Sequence, residues 1–71
     1  MITISLEEIK TGVRVTARHN GRTIIYKEGS VTDSRALVSD VMADACSAHR
    51  KGNGDYDMTY IELNDAASAA L

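Results

Sequence analysis

Val13-Arg14-Val15-Thr16-Ala17-Arg18-His19, then Asn20-Gly21, then Arg22-Thr23-Ile24-Ile25-Tyr26-Lys27-Glu28 is the stretch on which the fold turns. The first segment alternates apolar and polar residues, and the second is β-branched and aromatic. Both are marks of a half-buried strand. Asn-Gly tolerates the positive φ that both central positions of a type I′ turn require. A two-residue turn fixes the register, so His19 is expected opposite Arg22, Ala17 opposite Ile24, Val15 opposite Tyr26 and Val13 opposite Glu28. Val13, Val15, Ala17, Ile24 and Tyr26 then point to the core. Arg14, Thr16, Arg18, Thr23, Ile25 and Lys27 point the other way.

C-terminal to the hairpin, Gly29-Ser30-Val31 is a link. Ser30 or Thr32 can cap a helix whose first turn carries Asp33, the favoured sign at that end. From Ser34 to about Lys51, Leu37, Val38, Val41, Met42, Ala45 and Cys46 form one stripe at helical spacing. Arg50 and Lys51 suit the helix C-terminus, and Gly52 is a natural stop. Lys51-Gly52-Asn53-Gly54-Asp55 reads as a loop. Tyr56 to Leu63 alternates as a further strand, with Tyr56, Met58, Tyr60 and Glu62 on one face and Asp57, Thr59, Ile61 and Leu63 on the other. Asn64 or Asp65 can cap an Ala-rich turn through Leu71, and residues 64–71 are the segment most prone to fray.

N-terminal to the hairpin, Ile2-Thr3-Ile4 alternates as a short strand or extended lead. Ser5 stands three residues before Glu8, the capping-box pattern, and Gly12 supplies a stop. This spacing predicts a single helical turn over 6–10. The whole is expected to be one α+β domain over residues 1–71. Its order is (β)ββαβ, with one helix packed on one face of a small antiparallel sheet in a two-layer arrangement.

The composition agrees with a thin core. The 71 residues include nine Ala and no Phe, Trp or Pro, although 44% are hydrophobic. A chain of this size buries only about 60% of its unfolded surface. A deep, water-excluding catalytic cleft is not expected, and no apolar run approaches the 18 or so residues that span a bilayer. Met1 to Lys10 holds two acids and no long apolar run, so it does not read as a signal peptide. Cys46 stands alone, which excludes an internal disulfide and suits a reducing, cytoplasmic setting. The net charge of −2 hides an asymmetry. Residues 1–35 carry six basic and four acidic groups, whereas residues 36–71 carry two and six.

Few residues invite chemistry. Cys46 and His49 stand at i, i+3 on the helix and are a thiolate–imidazole or half-metal candidate. A zinc site needs four ligands, and only His19 is left to add. Cys46 is better read as the end of the apolar stripe. Lys51-Gly52-Asn53-Gly54 follows a helix, whereas a phosphate-cradling loop leads into one. No catalytic residue, metal ligand, cofactor or small-molecule substrate is therefore assigned.

On the open face of the sheet, Arg14, Arg18 and Lys27, around Thr16, Thr23 and Ile25, form an expected basic patch. Depending on which face of the last strand is buried, Ile61 and Leu63 extend that patch with an apolar strip, or Tyr56, Met58 and Tyr60 do so. The expected partner-binding residues are thus Arg14, Arg18, Ile25, Lys27, Tyr60 and Ile61. Asp33, Asp40, Asp44, Asp55 and Asp57 are too few for a phosphate mimic and read as a solvated acidic side. The expectation is a non-enzymatic protein-binding module, a regulator or inhibitor of a larger machine. In size alone it is comparable to phage or mobile-element accessory proteins. A homodimer through the same face or through an edge strand is compatible with it, since a thin core gains from association. The alternative is nucleic-acid binding through the hairpin cations, which an acidic chain supports only weakly.

Overall fold

The computed structural model describes residues 2–53 and 61–71. Three eight-residue strands come first: β1 (Ile2–Ile9), β2 (Gly12–His19) and β3 (Arg22–Gly29). A 3-10 turn at Val31–Asp33 leads into α1 (Ser34–Asn53), followed by β4 (Ile61–Leu63) and α2 (Asp65–Ala70). The sheet order is β3-β2-β1-β4, with the helices packed on one face. The two-layer α+β architecture is as expected. Pairing is antiparallel among β1, β2 and β3, while β4 runs parallel to β1, so the sheet is mixed.

The core follows from the alternation. Ile2, Ile4 and Leu6 of β1 and Val13, Val15 and Ala17 of β2 meet Val38, Val41 and Ala45 of α1, with Ala67 of α2 closing one side. Leu37, Met42 and Cys46 flank that line on α1, as the stripe predicts. Asn20 and Gly21 take φ of 52° and 79°, the positive pair that the type I′ turn requires.

Residues 6–10 do not form a helical turn. β1 continues through Ile9, because Ile2, Ile4 and Leu6 keep the period of two and each is buried by pairing with β2. A capping box contributes little against that burial, so the long-range pairing prevails over the local signal. Gly52 does not stop α1, which runs to Asn53. Residues 56–60 of the expected last strand, Tyr60 among them, lie outside the described residues. Ile61–Leu63 are strand as expected, and Ile61 and Leu63 share the helix-facing side with their partners Ile2 and Ile4.

Asn64 then takes over from β4. Its backbone N–H donates to the Ile4 carbonyl at 3.0 Å. Its side-chain Oδ1 accepts from the Leu6 N–H (3.2 Å) and the Ala67 N–H (2.8 Å), while its Nδ2 donates to the Leu6 carbonyl (3.2 Å). One amide thus extends the β1–β4 ladder by a residue and caps α2. The C-terminal segment expected as an Ala-rich turn is α2, anchored through fully buried Ala67.

Candidate functional site

The β2–β3 register departs from the simple hairpin. His19 pairs with Arg22 and Arg18 with Thr23, as expected. The register then shifts, so that Ala17 pairs with Ile25, Thr16 with Tyr26, Val15 with Lys27 and Arg14 with Glu28. Ile24 is the extra residue of a β-bulge. Two consecutive isoleucines cannot both face a core at strict period two. The bulge lets Ile24 and Ile25 both pack against it.

This shift inverts every side chain beyond it. Tyr26, expected in the core, lies on the open face and is 58% exposed. Ile25 and Lys27, expected on the open face, lie on the helix side, paired with core residues Ala17 and Val15. Lys27 Nζ reaches Asp44 Oδ2 of α1 at 2.9 Å. The expected three-cation patch therefore loses one member to the opposite layer. Ile61 also lies on the helix side, at the sheet edge and 37% exposed. Of the expected binding residues that are described, the structure brings together only Arg14 and Arg18 on the open face.

That face is ordered in three cross-strand rows. Glu7, Arg14 and Glu28 form the first, Ser5, Thr16 and Tyr26 the second, and Thr3, Arg18 and Thr23 the third. Glu62 of β4 pairs with Thr3 and extends the third row. Glu7, Arg14, Thr16, Arg18, Thr23 and Tyr26 line a shallow, open depression of about 480 Å³. Arg14 Nε donates to Glu28 Oε2 at 2.7 Å, and its Nη1 stands 3.6 Å from Glu7 Oε1. Its guanidinium carbon lies 5.8 Å from the centre of the Tyr26 ring, a cation–π distance. The hydrogen bond to Glu28, with the charges of Glu28 and Glu7, raises the Arg14 pKa above its ordinary value, so this group stays charged. Tyr26 is the residue that sequence reasoning missed. The Ile24-Ile25 doublet was its signal.

The acidic helix side is partly used within the fold. Asp44 holds Lys27, and Asp33 accepts from the Ser30 hydroxyl at 3.2 Å. Asp55 and Asp57 lie outside the described residues. Lys27 is raised above the usual 10.5, chiefly by its hydrogen bond to Asp44, against the cost of desolvation. A cation with a raised folded pKa contributes stability in full below its unfolded value and loses it as the pH rises through the folded one. The stability difference between wild type and Lys27→Met is therefore expected to be constant from neutral pH up to 10.5 and to shrink above it. Denaturation at several alkaline pH values checks this, and a difference independent of pH contradicts it.

Cys46 is half-buried beside Met42, in an apolar groove completed by Ser39, Ala43, Ile61 and Leu71. The His49 side chain, the other half of the expected Cys46–His49 pair, lies outside the described part. Among the described residues no cluster of His, Cys, Asp and Glu is arranged to hold a metal ion. No described helix is long and apolar enough to cross a membrane. Comparison of the chain with known protein families, curated proteins and solved structures finds no match.

Proposed function

We propose that this chain is a small non-enzymatic protein-binding module, a cytoplasmic regulator or inhibitor that docks its partner on the open face of the sheet. The observation that carries this reading is Tyr26, exposed and stacked beside Arg14 on a face that no other described element covers. Tyr and Arg are the side chains most enriched where binding energy concentrates. Here the strand pairing and two carboxylates already order the Arg14–Tyr26 pair, which lowers the entropic cost of fixing it on association. Nucleic-acid binding is the weaker reading, because Lys27 belongs to the opposite layer and Arg14 is flanked by Glu7 and Glu28.

The test is affinity capture from nuclease-treated lysate with wild type and Tyr26→Ala. Loss of an exposed aromatic anchor is expected to weaken capture of the partner by about tenfold or more, with a near-unchanged melting temperature. Equal capture by both proteins would remove the proposal. Capture that disappears on nuclease treatment would favour the nucleic-acid reading. Light scattering at high concentration tests whether the face also serves a homodimer.

A further inference from the structure

The two arginines of the open face are not equivalent. Arg14 is flanked by Glu7 and Glu28 in its own row. Arg18 lies between Thr3 and Thr23 and has no carboxylate partner among the described residues. The nearest acid of its row is Glu62, two strands away beyond Thr3. Thr16 and Thr23 line the depression beside Arg18, with Tyr26. One end of the depression thus offers a guanidinium among hydroxyls, uncompensated among the described residues, and the other a neutralised one.

We infer that the depression receives a carboxylate of a protein partner, a single Asp or Glu side chain on an extended segment, with Arg18 as its ion-pair partner and Tyr26 as the adjacent contact surface. This rests on the open face being the docking surface. The charge pattern selects one anion rather than a chain of them. Four residues along β2, roughly 13 Å away, the row of Arg14 presents two glutamates. Glu62 guards the β4 side of the row of Arg18. A polyanion laid along the face would meet these acids, whereas a single carboxylate seated at Arg18 meets none. The guanidinium fork also matches a carboxylate in two parallel hydrogen bonds, which a lysine there would not.

The experiment selects displayed linear peptides on the immobilised full chain. It then measures the affinity of the enriched peptides for wild type, Arg18→Gln, Arg18→Glu and Tyr26→Ala. Arg18 and Tyr26 are exposed, so the variants are expected to fold, and circular dichroism checks this. Wild type is expected to enrich peptides with a required Asp or Glu. Their affinity should fall at least about tenfold with Arg18→Gln, further with Arg18→Glu, and also with Tyr26→Ala. Replacing that Asp or Glu by its amide should cost the same factor on wild type and nothing on Arg18→Gln. Peptides that depend on Tyr26 but not on Arg18 overturn the carboxylate assignment and leave the docking face standing. Peptides indifferent to both residues, or no enrichment at all, overturn both. An oligodeoxythymidylate that binds wild type and is lost with Arg18→Gln, with no acidic peptide enriched, overturns the assignment in favour of nucleic acid.

Discussion

Gly12→Ala is expected to cost about 3 kcal/mol or more, a large share of the stability of the domain. Gly12 opens β2, directly after the Lys10-Thr11 turn that joins it to β1. Its φ is +150°, a region that L side chains rarely adopt. A Cβ there would also run into the Gly29 carbonyl oxygen, with the backbone of Gly29 and Ser30 behind it. Those atoms are main chain and cannot swing aside as a flexible side chain would. Relief requires the end of β3 to separate from β2 where the link to α1 begins, and so disturbs the seating of the helix. Backbone strain of this kind costs about 1–3 kcal/mol by itself, and the clash adds to it. At roughly 0.05–0.15 kcal/mol per residue, a domain of this size has only about 4–10 kcal/mol in total. Urea denaturation followed by circular dichroism checks the result. Gly21→Ala is the contrasting control. It shares the positive φ but meets nothing within 4 Å, so it should lose only the strain component.

The second large effect is expected at Asn64. Asn64→Ala removes the acceptor for the Leu6 and Ala67 amides and the donor to the Leu6 carbonyl. The cap alone is worth about 0.5–2 kcal/mol. The part-buried Leu6 groups left without partners raise the loss to about 2–4 kcal/mol. Both β4 and α2 should loosen, because this residue joins them to β1. Asn64→Asp keeps the acceptor for the two amides but cannot donate to the Leu6 carbonyl, so it should fall between Ala and wild type. Thermal melts rank the three proteins. Equal stability of Asn64→Ala and wild type would show that β4 and α2 are held by apolar contact alone.

These two residues show where the sequence was legible and where it was not. The type I′ turn at Asn20-Gly21 and the apolar stripe of α1 are local patterns, with periods visible over a few residues, and both were readable. Asn64 was readable as a helix cap, but its side-chain bonds to Leu6 join residues 58 apart and leave no local trace. β1 was obscured because Ser5 and Glu8 carry a real capping signal that only pairing with β2 outweighs. The direction of β4 was hidden for the same reason, since its partner is the first strand of the chain. The open face failed at a single residue. A hairpin read at strict period two places Tyr26 inside and Lys27 outside. The bulge at Ile24 reverses both, and with them the composition of the candidate site. Arg14 and Arg18 escaped the error because they lie on β2, whose own alternation the bulge does not break.

The open face therefore owes its composition to the inward turn of Ile25 and the outward turn of Tyr26. A matched pair of charged substitutions, Ile25→Lys and Tyr26→Lys, tests it through the free energy of unfolding in urea. Ile25 packs against the core, whereas Tyr26 is 58% exposed. Ile25→Lys is expected to cost about 1–3 kcal/mol, and Tyr26→Lys is expected to stay within about 0.5 kcal/mol of wild type. The reverse order, with Tyr26→Lys the damaging change and Ile25→Lys tolerated, would mean that the hairpin has no bulge and that the open face proposed for docking does not present Tyr26.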